Sequence, residues 1–430
     1  MIDTVEVRLW GTRIGILYRQ DARRAVSFEY EKNFLKSGIE LSPFMMPLSD
    51  KVYYFPELPQ ESFHGLPGMI ADSIPDKFGN AVIRKWLASK GRTDDSFSVL
   101  EQLCYTGKRG MGALEYVPAI GQFSEENSID VTEMAEFASQ ILNERRQISS
   151  SEKDMNMARM MEIGTSAGGA RAKALIAWNR KTGEIRSGQV DSDRDFDYYL
   201  LKFDGVSGNG DHELTDPKQY TLIEFAYYQM AKDLGIKMNE CAIYKKDGLN
   251  HFITKRFDRV DREKLHMQTF AALSHSDFNY PGSTGYEMLA DYSRQLGLGQ
   301  EDIRQIYMRM VFNVMGMNCD DHVKNFSFLM DRTGKWSLAP AYDITYAYSP
   351  GNRWLSGHQM TVNGKTFNIT EEDMLTCGKT MGLNTVFCKS VLEKTRAVVD
   401  NWSDYAMENG ISEERMQKVT KGMALDRYLF

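Results

Sequence analysis

Apolar and polar residues alternate along the first 30 positions, in VEVRLW and then in GILYR and AVSFEY, with turn-forming residues between the runs. A period of two puts one face of a strand inward and the other toward water, so this stretch predicts an antiparallel meander. A polar, proline-bearing stretch follows (SPFMMPLSDKVYYFPELPQ). In GLPGMIADSIPDKFGNAVIRKWLASKG, Ser73–Ile74–Pro75–Asp76 marks a helix start and Gly91 a stop. TGKRGMGALEYVP, residues 106–118, reads as a glycine-rich turn into a strand. These elements make a first unit of about residues 1–120.

Residues 124–160 are polar and helix-forming, then loop-like at SSSEKD. From residue 163 the pattern becomes glycine loop, strand, turn and strand, with YYLLKFDG as a buried strand. TLIEFAYYQMAKDLGI spaces its apolar residues as a helix does, and CAIYKKDGLNHFITKRFDR reads as a hairpin about an Asp-Gly turn. Beyond residue 262 the chain is mainly helical, apart from one short hairpin. The expected divisions are 1–120, 121–261 and 262–430.

With 42% hydrophobic and 26% charged residues the chain has the composition of a globular protein. A net charge of −7 argues against gripping nucleic acid with its own surface, which needs a concentrated basic face. Arg84, Lys85, Lys90 and Arg92 form the best candidate for a basic patch, and a solvated helix end is the preferred reading of them. Cys104, Cys241, Cys319, Cys377 and Cys388 lie far apart without CxxC spacing, which disfavours a zinc ribbon or a disulfide framework. The first residues do not read as a signal peptide, and no apolar run approaches the roughly 20 residues of a membrane helix. A cytoplasmic protein with no membrane contact is expected.

The chemistry concentrates in NCDDHVKNFSFLMDRTGKWSLAPAYD, residues 318–343. Phosphoryl transfer needs a carboxylate at the attacking hydroxyl and oxygen ligands for the Mg²⁺ that bridges the phosphates. Protein kinases supply these with an Asp, an Asn five residues later, and a second Asp beyond a short hairpin. Asp320 precedes Asn325 by five, and FSFLMD and WSLAPAYD alternate as strands about Arg332–Thr333–Gly334–Lys335. The spacing nominates Asp320 as the base, with Asn325 and Asp343 as metal ligands. Asp321 is the adjacent competitor, at a spacing of four. His322 reads either as a second acid/base or as a loop-holding group. Lys324 reads either as a cation for the transferring phosphoryl group or as a solvent-facing lysine.

Upstream, GTSAGGARAKA (164–174) carries small residues that let backbone N–H groups approach phosphate oxygens. It fits neither GxxxxGK[ST] nor G-x-G-x-x-G, because Ala170 and Arg171 follow Gly169, so a simple turn and a nucleotide cradle both remain open. Ser166 within it could itself receive a phosphoryl group. Lys202 lies in the apolar strand YYLLKF, where a lysine needs a charged partner such as nucleotide phosphates, or else snorkels from a strand edge. Glu224, on the following helix, is a candidate ion-pair partner for Lys202.

At these residues the sequence resembles the HipA family of serine/threonine kinases. SAGGARAK (166–173) is similar to that family's S-x-x-G-A-x-x-K loop, and KFDG (202–205), KRFDR (255–259), DDHVKNFSF (320–328) and LAPAYD (338–343) match further signatures in order. GLPGMIADSIPDKFGN (65–80) is similar to its N-terminal cap motif. The resemblance implies an α+β, two-lobed protein-kinase-like fold with a β-rich N-terminal cap and a largely helical C-lobe. It implies ATP and Mg²⁺ as cofactors, Asp320 as base, and Asn325 and Asp343 on the metal. Nucleotide contacts would come from Ser166, Ala167, Gly168, Gly169, Ala170, Lys202, Phe257, Asp258, His322, Lys324, Asn325 and Asp343, with Phe257 lining the adenine pocket. Ser166 would be an autophosphorylation site, whose added charge would expel the loop from a phosphate-binding position. A small helix-turn-helix antitoxin would be the partner and the only route to DNA. The substrate would be a protein of the translation apparatus, an aminoacyl-tRNA synthetase among the analogies. Two other readings compete: a small-molecule phosphotransferase, and a kinase-fold binding protein acting as co-repressor.

Overall fold

The computed structural model describes residues 2–19, 25–75, 77–93, 96–120, 129–142, 157, 160–161, 163–164, 171–188, 195–206, 219–261 and 263–425. They pack as two compact units. The first comprises residues 1–218, 242–268 and 330–334, and the second residues 219–241, 269–329 and 335–430.

The first unit opens with the strands that the alternation predicts: β1 (Thr4–Leu9), β2 (Thr12–Tyr18) and β3 (Ser27–Tyr30). With β4 (Leu114–Val117) they form an antiparallel sheet in the order β3-β2-β1-β4. Val5, Val7 and Leu9 fill one face of β1, as a period of two requires. Gly15 on β2 is demanded by close approach, since a Cβ there would lie 2.4 Å from the Glu29 carbonyl oxygen.

Helix Lys77–Ser89 follows the predicted start and stops before Gly91, whose φ of 68° suits glycine. Helix Val99–Thr106 carries a full capping box, Ser98 with Glu101, a signal that S-x-x-E before an apolar run offers in any sequence. A second antiparallel sheet runs β6 (Ile185–Ser187), β5 (Lys173–Trp178), β7 (Asp197–Lys202), β9 (Leu249–Lys255) and β8 (Cys241–Lys246), in that order. Helix Lys77–Ser89, helix Val131–Leu142 and the β5–β7–β9 face share one hydrophobic cluster, which includes Phe78, Val82, Met134, Phe137, Ile176 and Leu201. The core of this unit therefore draws on residues from both sides of position 120.

The second unit is helical around Gln300–Met315, a helix buried over most of its surface. Tyr286–Gln295 and Thr385–Asp400 pack on it, and Tyr227 of helix Tyr220–Asp233 meets Trp402 edge-on at 5.7 Å. The strands Ser327–Met330 and Trp336–Leu338 form the expected hairpin. In helix Glu371–Thr380, a Cβ on Gly378 would lie 2.6 Å from Cys388 Sγ and 2.8 Å from the Tyr307 ring. Gly378→Val is therefore expected to overpack this junction and cost about 1–3 kcal/mol, read as a lower urea midpoint at unchanged slope. All five cysteines are buried and none forms a disulfide. No helix among the described residues is long and apolar enough to cross a membrane.

Candidate active site

Helix Gln300–Met315 delivers the loop that carries the candidate base. After Gly316 the backbone turns through Met317 at φ 54°, and the Asn318 N–H returns to the Asn313 carbonyl at 2.9 Å. The Asn325 side-chain amide donates to the Asp320 carbonyl oxygen at 2.7 Å, and the Asn325 N–H donates to the His322 carbonyl at 2.8 Å. These bonds curl residues 320–325 back on themselves, with the Asn325 amide nitrogen engaged in the curl. The Asp320 side chain keeps 21% of its surface exposed, with His322 Nε2 at 3.9 Å from its Oδ1.

Asp321 has the opposite environment. Its carboxylate is fully buried and takes the Tyr286 hydroxyl at 2.6 Å, the Gln359 N–H at 2.8 Å and His358 Nδ1 at 3.2 Å. A carboxylate enclosed by three donors has no face left for a substrate hydroxyl. The two adjacent acids, alike in sequence, are thus divided by burial: Asp320 faces solvent and Asp321 faces the core.

Beyond the hairpin, Tyr342 closes the segment that bears Asp343 onto this loop. Its hydroxyl donates to the Lys324 carbonyl at 2.7 Å and also pairs with Ser327 Oγ. Arg309 supports the same segment by donating to the Ala339 carbonyl at 2.8 Å. Burial lowers the Arg309 pKa to about 10, which still leaves it cationic at neutral pH. Asp343 itself adopts φ 52°, a left-handed conformation uncommon for a side-chain-bearing residue. Asn325 and Asp343 offer an amide oxygen and a carboxylate, the hard donors that Mg²⁺ takes when substrate phosphates complete its shell. Among the described residues there is no cluster of three or more His, Cys, Asp or Glu suited to a metal. Lys324 Nζ lies 4.7 Å from the Phe278 ring centroid, and the same ring lies 6.0 Å from His322. Both side chains therefore share an aromatic floor beside Asp320.

In the first unit Lys202 is buried at the end of β7, directly opposite Lys173 on β5 and Phe252 on β9. Opposed residues of an antiparallel pair project to the same face, so both lysines belong to one face of this sheet. Lys173 closes the SAGGARAK motif and had no role of its own in the sequence reading; only the strand register pairs it with Lys202. Ser166, Ala167, Gly168, Gly169 and Ala170 lie outside the described residues.

Phe257 is half-buried, and its neighbour Asp258 is wholly enclosed. Asp258 accepts both Arg256 Nε (2.9 Å) and Nη2 (2.8 Å), Arg259 Nη1 (2.7 Å) and the Gly112 N–H (2.7 Å). Burial alone would push this carboxyl up, but the two arginines and the Gly112 bond outweigh it and hold it well below the ordinary range. Asp258 is thereby placed as the tie between the KRFDR strand end and the glycine-rich turn at 110–112. Glu224 is buried on helix Tyr220–Asp233 of the second unit. Of the basic stretch, Arg92 is drawn to Glu101 at 3.5 Å while Arg84 and Lys90 face solvent.

Antiparallel sheets followed by a helical unit with this loop and hairpin define a kinase-like fold. The same fold is seen in the HipA protein of Shewanella oneidensis MR-1, solved with HipB and its operator DNA, which superposes with a TM-score of 0.63 over 99% of this chain and 97% of that one at 17% identity. Residues 5–117 match the HipA N-terminal domain and residues 165–402 the HipA-like C-terminal domain. The chain belongs to the HipA family. Among curated relatives, the "Putative kinase" of Haemophilus influenzae is 29% identical over 33% of this chain, and the "Putative kinase Y4dM" of Sinorhizobium fredii is 27% identical over 28%. Those matches span 47% and 32% of the two relatives' own lengths.

Proposed function

We propose that this protein is an ATP- and Mg²⁺-dependent protein serine/threonine kinase acting as the toxin of a toxin–antitoxin pair. The observation that carries the reading is the curled 320–325 loop, with a solvent-facing Asp320, clamped through Tyr342 to the segment that bears Asp343. In the reaction a substrate serine or threonine hydroxyl attacks the γ-phosphorus of ATP. The new O–P bond forms as the bond to the β-phosphate oxygen breaks, ADP leaves, and the hydroxyl proton passes to the Asp320 carboxylate. Asn325 and Asp343 would hold Mg²⁺, which when bound would supply positive charge against the phosphates. Lys324, beside Asp320, adds cationic charge, and the opposed Lys173 and Lys202 suit nucleotide phosphates on the first unit. Phe257 offers an apolar surface for the adenine ring, while Asp258 holds the backbone there.

The partner in this reading is a small helix-turn-helix protein through which DNA would be reached, consistent with the HipB and operator DNA of the Shewanella complex. The substrate is a protein of the translation apparatus, with an aminoacyl-tRNA synthetase as the first candidate, and Ser166 is the proposed autophosphorylation site. Intact-mass and peptide mass spectrometry with Mg²⁺-ATP tests the reading against the Asp320→Ala protein. A phosphoryl group on Ser166 in the parent protein alone is the expected result. Phosphorylation of an aminoglycoside without any protein phosphorylation would replace the reading with a small-molecule phosphotransferase. ATP binding without transfer to any protein would replace it with a binding scaffold.

A further inference from the structure

The dipeptide Asp320–Asp321 joins an accessible acid to an inaccessible one, and the buried member is wired into the second unit by a directional chain of hydrogen bonds. Asn318 Nδ2 donates to Asn313 Oδ1 at 2.9 Å, Asn313 Nδ2 donates to the Tyr286 hydroxyl oxygen at 2.9 Å, and that hydroxyl donates to Asp321 Oδ2 at 2.6 Å. From the other side the Gln359 N–H reaches Asp321 Oδ1, and His358 Nδ1 reaches Oδ2. Tyr286, Asn313, Asn318, His358 and Gln359 are all at least nine-tenths buried. Every arrow ends on the carboxylate, so each bond polarises the next, and the chain is strongest when Asp321 is ionised. Burial and then the Asp321 charge push the Tyr286 phenol well above its usual range, which keeps its proton in place for donation.

We propose that Asp321 is a positioning residue, which holds the transfer loop rigid by tying it to helix Tyr286–Gln295, to helix Gln300–Met315 and to the 358–359 segment at once. Two separate pieces of chain bond to this side chain directly, helix Gln300–Met315 reaches it through the Tyr286 hydroxyl, and Asp321 is covalently adjacent to the candidate base. With no donor within the 320–325 loop among its partners, Asp321 holds the loop from outside. Its own bonds, Asn325 to Asp320 and Asn325 to His322, only curl it. In an Asp321→Asn protein one face of the side chain becomes a donor and meets a donor, so the anchor is lost while the volume is kept.

This inference rests on the kinase reading for its catalytic readout, so the test carries a second readout that does not. Asp321→Asn and the milder Tyr286→Phe, which removes one hydroxyl, are compared with the parent protein by amide hydrogen exchange and by steady-state transfer. Exchange at 318–325 and at Gln359 is expected to quicken at least tenfold in Asp321→Asn, with kcat down about 10–100-fold and the KM for ATP within about twofold, the scale on which a misplaced catalytic group costs rate. The pH–rate profile should keep its acid limb with a lower plateau, because the candidate base, Asp320, is still present. Should Asp321→Asn fail to fold, Tyr286→Phe is expected to show the same pattern at several-fold size. Loop exchange unchanged in the folded variants overturns the proposal, as does disappearance of the acid limb, which would make Asp321 the base. Faster loop exchange in a protein whose parent form transfers no phosphate would sustain the anchor and reject the kinase reading.

Discussion

Asp320→Ala is expected to leave Mg²⁺-ATP affinity close to that of the parent protein while phosphoryl transfer falls by about 10²–10⁴-fold, the range a positioned general base contributes. The side chain keeps 21% of its surface exposed at the start of the curled loop, so its removal is expected to cost the fold little. Asp343→Ala should differ in kind. It removes a candidate metal ligand, so both nucleotide affinity and transfer should drop, and raising the Mg²⁺ concentration should restore part of the affinity. Calorimetric titration beside a radiolabel transfer assay separates the two patterns. Full activity in Asp320→Ala would remove that residue from the chemistry.

The largest effect on stability is expected away from the transfer loop. Asp258→Asn leaves Arg256 and Arg259 facing an uncharged amide in a fully buried setting, and breaking such a pair by removing one partner costs about 3–5 kcal/mol. The pH dependence has a definite sign. The folded-state pKa of Asp258 is depressed, so the carboxylate contributes its full stability above the ordinary carboxylate pKa of about 4, and that contribution is lost as pH falls below it toward the folded value. Urea unfolding between pH 3 and 7 should therefore show a steep acid loss in the parent protein and a shallower one in Asp258→Asn. Equal slopes would mean that other carboxylates dominate the acid limb.

Strand alternation, helix periodicity and the turn at 331–334 were legible in the sequence because each depends on neighbours within a few residues. The β1–β3 meander, the helix before Gly91 and the hairpin after Phe326 all lie where local patterning puts them. The spacing of Asp320, Asn325 and Asp343 was legible for the same reason, since a short loop and a hairpin connect those residues along the chain. Helix Val99–Thr106 carries its own local signal too, in Ser98 and Glu101.

What the sequence could not separate were residues that share a type and differ in surroundings. Asp320 and Asp321 are the same side chain one position apart; only segments from 286, 313 and 358–359, folded against the second of them, bury it. Lys173 and Lys202 stand 29 positions apart and become neighbours only through the β5–β7 register. Asp258 carries a signature that suggests a nucleotide contact, and its partners at Gly112 and the flanking arginines make it a structural tie. In each case a contact with distant chain decides, which no local pattern encodes. The sequence by itself determined the elements and the spacing of the acids. Only the tertiary structure decided which acid meets water, because burial is a property of the packed chain and not of its order.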